Sequence, residues 1–250
     1  MTSEILPGSD PFSSSGDGRG VLVLHAYTDN PQTMRSIAEM PAAYGCTVEM
    51  PRLPGHGTTV EDLKRCRWSD FVAEVERACD TLTATCDRVA IVGLSMGGGL
   101  TCHLAENRDV AGIALINPFL KAPPAELRDG VKAGIDAGVD ELPGAGAHIK
   151  KPGVDGFSYA AMPAIPLLSV AEGIDVVEAH LGDIMAPMLL LTSCEDHVVF
   201  WENGGAVVER SAGPVERIWL EDSCHVATID NDQPLIESAI AEFFGRVFLS

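Results

Sequence analysis

Short runs of apolar residues recur along the chain and predict β-strands. These runs are rich in Val, Ile and Leu, and they are apolar at successive positions rather than at every second one. Successive side chains of a strand face opposite sides of a sheet, so both sides must be covered, as in a parallel sheet between helices. The predicted strands are Val21–His25, Thr47–Met50, Arg88–Val92, Gly112–Ile116, Met188–Thr192 and Val215–Leu220.

Between these runs, apolar residues spaced three or four positions apart predict amphipathic helices. Phe71, Val75 and Leu82 fall on one face of such a segment, and Glu74 lies on the opposite face. The predicted helices are Asn30–Tyr44, Ser69–Cys86, Met96–Asn107 and Pro234–Phe248. The alternation predicts a doubly wound α/β fold, and a length of 250 residues suits one domain over residues 1–250.

The stretch from Leu120 to Asp183 interrupts this alternation. It is rich in Pro and Gly, with only weak helical stretches and no convincing strand. About sixty residues of this kind inside a compact domain are more typical of a functional lid than of a connecting loop. We therefore predict a lid insertion at about 120–183.

Charge and composition narrow the possible partners. Seventeen Lys and Arg stand against thirty-six Asp and Glu, and the resulting net charge of −19 disfavours nucleic acid and anionic membrane surfaces as partners.

No apolar stretch is long enough for a membrane span, and the first ten residues lack the pattern of a signal peptide, so we expect a cytoplasmic protein without stable membrane insertion. The seven cysteines are scattered and include no C-x-x-C pair, and this arrangement fits neither a disulfide framework nor a zinc site. The sequence implies no cofactor.

The segment Gly93-Leu94-Ser95-Met96-Gly97 carries the clearest chemistry. It has the form G-x-S-x-G, and it lies directly after a predicted strand and before a predicted helix. A nucleophilic serine on such a sharp turn needs small neighbours, which the glycines provide. The alternative is a turn that binds phosphate at a helix N-terminus, but no Lys lies near it and the net charge disfavours anions.

A serine nucleophile needs a base and an acid, and chain order points to both. In α/β hydrolases the order is serine, acid, histidine, and His225 lies in a polar loop well after Ser95. Asp196 follows a predicted strand and is the favoured acid, with Glu195 as its immediate rival and Asp222 as a weaker one.

The oxyanion formed during acyl transfer needs backbone N–H donors. One comes from the residue after the nucleophile, Met96, and the other from the loop after the first predicted strand, where Tyr27 is the candidate. The alternative is that Tyr27 only packs.

The chain resembles the bacterial carboxylesterase and monoacylglycerol lipase branch of the α/β-hydrolase superfamily. The resemblance implies the α/β-hydrolase fold, a triad of Ser95, Asp196 and His225, and an oxyanion amide at Tyr27. It rests on the segments VLVLHAYTDNPQTM (21–34), PRLPGHGTTVEDL (51–63), GLSMGG (93–98), EDHVV (195–199) and EDSCHVATID (221–230). His56 and His197 lie inside these segments, and we expect them to be structural.

Several positions depart from the family pattern. The family's H-G-F-T-G becomes HAYTD, which places a methyl group at Ala26 and a carboxylate at Asp29. The lid glutamate that can hold a glycerol head in monoacylglycerol lipases falls on Gly156, with Asp155 as a possible substitute. Because of these departures, the sequence does not identify the alcohol part of the substrate.

Together these features predict a serine hydrolase that cleaves a small neutral ester or acylglycerol through an acyl-enzyme. A thioesterase or acyltransferase would share the triad, and a non-catalytic binding protein with this fold is the alternative of another class. The sequence makes no prediction of oligomeric state. Five apolar lid residues are expected either to form an acyl pocket or to pack as a lid core, namely Phe157, Met162, Ile165, Leu167 and Leu168.

Overall fold

A computed structural model describes residues 3–146 and 149–249 of the chain. In chain order its strands are β1 (Phe12–Ser14), β2 (Arg19–Leu24), β3 (Thr47–Met50), β4 (Arg88–Leu94), β5 (Gly112–Ile116), β6 (Glu141–Pro143), β7 (Ala161–Pro163), β8 (Met188–Ser193) and β9 (Val215–Leu220). Seven of them form one sheet in the order β1-β3-β2-β4-β5-β8-β9, parallel except for β1, which runs antiparallel to β3. The strands β6 and β7 form a separate antiparallel pair.

Helices cover both faces of the large sheet, as the continuous apolar runs predict. Along β2, Leu22 and Leu24 enter one hydrophobic core, whereas Val21 and Val23 enter the other. Alternate side chains of each central strand are therefore buried on opposite sides. The helices are α1 (Arg35–Ala43), α2 (Val60–Lys64), α3 (Trp68–Thr83), α4 (Met96–Asn107), α5 (Ala125–Asp136), α6 (Ala164–His180), α7 (Glu202–Arg210) and α8 (Gln233–Val247).

Residues 120–183 contain more regular structure than their sequence predicts. The expectation of weak helices and no strand is wrong, because α5, α6 and the β6–β7 pair all lie in this stretch. In α6, Val170, Ile174 and Val177 are buried, and Val176 is apolar although it is exposed. Apolar residues on several faces remove the contrast between a core face and a polar face, so periodicity does not reveal the helix.

The parallel topology brings the carboxyl ends of β2, β4, β8 and β9 to one edge of the sheet. The loops that carry Tyr27, Ser95, Asp196 and His225 all start at this edge. In the described part of the chain, no helix is long and apolar enough to cross a membrane.

Candidate active site

Ser95 lies on a sharp turn between β4 and α4. Its backbone has φ 55° and ψ −117°, a conformation that is strained for a residue with a side chain. The turn is possible only because of its glycines. A Cβ on Gly93 would lie 2.2 Å from the carbonyl oxygen of Gly97, and a Cβ on Gly97 would lie 2.4 Å from that of Leu24. The strain places the serine at the carboxyl edge of the sheet.

His225 and Asp196 are joined by a buried hydrogen bond. His225 Nδ1 lies 2.7 Å from Asp196 Oδ2, and Asp196 Oδ1 accepts hydrogen bonds from the amides of Val198 and Val199, both at 2.8 Å. The two amides hold the carboxylate in a single orientation. Because this carboxylate is an acceptor, Nδ1 carries the imidazole proton and Nε2 keeps a lone pair that can take a proton.

The rival acids lie elsewhere. Glu195 forms an ion pair with Lys150, whose Nζ lies 2.9 Å from Glu195 Oε1, and more than half of the Glu195 side chain is exposed. Asp222 is also exposed. The structure therefore brings Asp196, and neither rival, to the imidazole of His225.

Tyr27 and Met96 line the same cavity as Ser95 and His225. Met96 is the first residue of α4, and amides at this end of a helix have no partner within the helix. The side chain of Tyr27 has a separate contact, since its hydroxyl donates a hydrogen bond to the carbonyl oxygen of Pro163 at 3.0 Å. Burial raises the pKa of this phenol, so the hydroxyl stays protonated.

The replacement of the family's glycine by Ala26 is compatible with the fold. The positive φ in this loop occurs at Thr28, with a value of 63°, and Ala26 does not require one. The methyl group of Ala26 is buried in the core that also contains Val21 and Val23.

The cavity has a volume of about 330 Å³. Its polar side contains Ser95, His225 and Asp29, and the remaining surface is mainly apolar. Of the five lid residues expected here, Met162 and Leu167 line the cavity, whereas Phe157 and Ile165 are exposed and Leu168 borders a different hollow. The apolar residues on the cavity wall include Phe119, Met162, Leu167, Val170, Val198 and Val199.

Asn117 is a site residue that sequence reasoning missed. It follows β5 with φ 42°, and its Nδ2 donates to Ser193 Oγ and to the carbonyl oxygen of His225, both at 2.9 Å. Its Oδ1 accepts from the amide of Ser193 at 2.7 Å. One buried amide side chain thus ties the ends of β5 and β8 to the loop of the catalytic histidine candidate. An asparagine directly after a buried strand was the available signal.

Asp230, the last residue of the segment EDSCHVATID, has a structural role that its sequence pattern does not reveal. Its carboxylate accepts hydrogen bonds from the amides of Lys150, Lys151 and Cys224 at 2.8–2.9 Å. It therefore connects the segment before β7 to the loop that carries His225.

Three further histidines lie in the segments that carry the family resemblance, and two of them, His25 and His56, have structural surroundings. His25 Nε2 accepts from the amide of Leu53 at 3.1 Å, which puts its proton on Nδ1, 3.0 Å from the carbonyl oxygen of Ala26. His56 is fully buried, and burial lowers its pKa to about 4, so its ring is neutral. His197, by contrast, lines the cavity. Over residues 3–146 and 149–249, no group of three or more His, Cys, Asp or Glu side chains is arranged to hold a metal ion.

Comparison with known proteins identifies the class. The model of the alpha/beta hydrolase family matches residues 21–237. The chain belongs to this family.

The relatives define the class further. The chain is 38% identical to a thermostable monoacylglycerol lipase of Bacillus sp. (strain H-257), over 97% of this chain and 96% of the relative. It is 22% identical to a carboxylesterase of Bacillus subtilis (strain 168), over 95% and 96% of the two chains. A solved structure from work on LipS and LipT, two metagenome-derived lipolytic enzymes, superposes with a TM-score of 0.92 at 38% identity, over 97% of this chain and 100% of the other. The protein is a carboxylic ester hydrolase of the alpha/beta hydrolase family.

Proposed function

We propose that this protein hydrolyses carboxylic esters through an acyl-enzyme on Ser95, with His225 as the base and Asp196 as the acid that orients it. The observation that carries the proposal is the buried 2.7 Å contact between His225 and Asp196, next to the cavity that Ser95 also lines. A lone histidine at a sheet edge has many uses, but a buried histidine locked by a carboxylate beside a strained serine suits nucleophilic catalysis.

The reaction would proceed in two halves. Ser95 Oγ attacks the ester carbonyl carbon while His225 Nε2 takes the hydroxyl proton, and the amides of Tyr27 and Met96 stabilise the oxyanion. The intermediate collapses, and His225 returns the proton to the departing alcohol. A water molecule then attacks the acyl-enzyme with His225 again as base, which releases the carboxylic acid and restores Ser95.

We also assign a lid role to residues 120–183. Met162, Leu167 and Val170 come from this stretch and form part of the cavity wall. Hydrogen bonds join it to the loop of the oxyanion candidate, from Tyr27 Oη to Pro163 and from the amide of Tyr159 to Thr28. An apolar wall from this segment favours an aliphatic acyl group and excludes water from the reacting ester.

Monoacylglycerols are the first substrates to test, since a relative of 38% identity over nearly the whole chain is a monoacylglycerol lipase. The thioesterase and acyltransferase alternatives are not favoured, because the relatives at this level of identity are lipolytic.

The test is hydrolysis of p-nitrophenyl esters and monoacylglycerols by the wild type, Ser95→Ala and His225→Ala. We expect each variant to lose about 10⁴-fold or more in kcat while keeping the wild-type circular dichroism spectrum. Retained turnover in Ser95→Ala would overturn the proposal. Acyl-CoA substrates in the same assay measure the thioesterase alternative.

We further propose a cytoplasmic location. All seven cysteines are free, and five of them are buried, as expected of a chain that folds in a reducing compartment.

A further inference from the structure

Asp29 lines the active-site cavity, and one of its oxygens has no partner. The residue is 1% exposed. Oδ1 accepts a hydrogen bond from the amide of Asn30 at 2.9 Å, whereas Oδ2 is buried without a hydrogen-bond partner among the described residues. The hydroxyl of Thr33 is close enough to this carboxyl to lower its pKa, but its hydrogen bond goes to the carbonyl oxygen of Asn30, at 3.0 Å. Buried carboxyl oxygens are rarely left unpaired, because desolvation without a partner costs free energy.

The surrounding segments hold Asp29 in place. The side chain of Asn30 donates to the carbonyl oxygen of Phe157 at 3.1 Å, and the amide of Tyr159 donates to the carbonyl oxygen of Thr28 at 2.9 Å. The loop is therefore clamped on both sides of Asp29. Since the backbone is fixed, the unpaired oxygen has a fixed position at the cavity and acts as a preorganised polar group.

Asp29 and His225 line the same cavity, which puts Asp29 within reach of the alcohol part of an ester bound at Ser95. His225 is the titratable group whose charge acts on Asp29. In the proposed reaction, His225 passes its proton to the departing alcohol oxygen, so groups close to its ring are close to the alcohol part of the substrate. The apolar wall formed by Met162, Leu167 and Val170 is left for the acyl chain.

We infer that Asp29 binds a free hydroxyl group on the alcohol part of the ester and makes the enzyme selective for esters of diols or polyols. This inference rests on the proposed function, because it needs Ser95 and His225 to act on the same bound ester. Asp29 is a specificity residue here, and it takes no part in bond making or breaking.

The protonation behaviour of Asp29 suits a hydroxyl better than a cation. Burial raises its pKa to about 7, against the opposing effects of the Asn30 amide, Thr33 and His225. Both the acid and the carboxylate are then populated near neutral pH. A hydroxyl group can donate to the carboxylate or accept from the acid, whereas an ammonium group pairs only with the carboxylate.

The experiment compares two esters that differ only in this hydroxyl. 2-Hydroxyethyl octanoate and n-propyl octanoate have the same acyl chain and alcohol parts of similar size, with a hydroxyl in one and a methyl in the other. The measured quantity is the ratio of their kcat/KM values. In Asp29→Ala we expect the ratio to fall about 10-fold or more, as for loss of a buried hydrogen bond to an ionisable group. Asp29→Asn keeps the side-chain shape and a polar group at the Oδ2 position, so it should lose less of the ratio.

Glu106 supplies a matched control. It is another carboxyl whose pKa is raised by burial, to about 8, and its Oε1 also lacks a partner among the described residues, but it lies outside the active-site cavity. Glu106→Gln should leave the ratio unchanged.

The outcomes distinguish failure of the proposed function from failure of the inference on Asp29. If the wild type turns over neither ester, or if Ser95→Ala retains turnover, the proposed function fails and this inference fails with it. If the wild type is active and Asp29→Ala changes kcat/KM for both esters equally, Asp29 has only a structural role and the inference alone is overturned. Should Asp29→Ala not fold, Asp29→Gly takes its place, since glycine is the residue of the family pattern at this position and also removes the carboxyl group. An unchanged ratio in Asp29→Gly together with normal turnover would overturn the inference.

Discussion

At the scale of single residues, Asp29 should destabilise the folded protein as the pH rises. Its pKa is about 7 in the folded chain against an ordinary value of 3.8, so the folded state holds the proton longer than the unfolded state. Stability is then lost as the pH rises from about 4 to about 7, and the loss is complete above that range. A buried carboxyl group that lowers the stability of the folded protein at neutral pH is better explained by a function at the cavity than by packing.

The corresponding variant is Asp29→Asn, which removes the charge and keeps the acceptor for the Asn30 amide. We expect it to unfold at a higher temperature than the wild type at pH 8, with a gain of at most about 4 kcal/mol in the free energy of unfolding. The gain should shrink to nothing near about pH 3, which lies below both pKa values, so that Asp29 is protonated in the folded and the unfolded wild type. Thermal unfolding from about pH 3 to about pH 8 measures it, and a difference independent of pH would show that the charge of Asp29 is not responsible.

Asn117 is the second residue whose role can be tested alone. Asn117→Ala leaves the amide of Ser193 and the carbonyl oxygen of His225 without the partner they have now, both in a buried region. We expect a loss of about 1–3 kcal/mol in the free energy of unfolding and a larger effect on kcat than on KM, since the His225 loop loses its anchor. Urea unfolding and steady-state kinetics measure the two effects. Unchanged kcat in a destabilised variant would limit Asn117 to stability.

At the scale of secondary-structure elements, the buried strands are predictable and several helices are not. The predicted ranges of β3, β5 and β9 coincide with the observed ones, and each strand is followed directly by a polar or turn-forming residue, namely Pro51, Asn117 and Glu221. Helix α7 begins Glu202-Asn203-Gly204-Gly205, and two glycines lower its helix propensity enough to hide it. Gly204 packs closely on the sheet, since a Cβ there would lie 3.2 Å from the side chain of Leu190.

The candidate site is also predictable in part from local pattern. A glycine-flanked serine directly after a strand points to Ser95, and chain order together with a polar loop after β9 points to His225. The choice between Glu195 and Asp196 depends on distant partners, namely Lys150 for Glu195 and His225 for Asp196. Contacts between segments far apart in sequence, like those of Asn117 and Asp230, have no local signature.

The contact between the proposed oxyanion loop and the proposed lid gives a prediction at this scale. Tyr27→Phe removes the hydroxyl that donates to Pro163 but keeps the ring and the backbone amide. We expect kcat to stay within about three-fold of the wild type, because the amide is the group proposed to bind the oxyanion, whereas a lost hydrogen bond costs about 1 kcal/mol of lid anchoring. Hydrogen–deuterium exchange of the amides of Ala161 and Met162, which precede Pro163, should become faster. Exchange at the wild-type rate would show that this hydroxyl does not hold the lid.

At the scale of the whole molecule, the fold collects the site from remote parts of the sequence. The loops after β2, β4, β8 and β9 supply Tyr27, Ser95, Asp196 and His225, although these residues span almost two hundred positions of the chain. The net charge of −19 surrounds this site with a negative field, which suits a neutral ester and repels anionic competitors.

The central claim is that Ser95 is a nucleophile activated by His225, and covalent labelling tests it most directly. The wild-type protein is treated with a fluorophosphonate, and the modified peptide is identified by mass spectrometry, with Ser95→Ala and His225→Ala treated in parallel. The account predicts a single adduct on Ser95 in the wild type, none in Ser95→Ala and much slower labelling in His225→Ala. An adduct on another residue, or no adduct in a protein that hydrolyses esters, would contradict it.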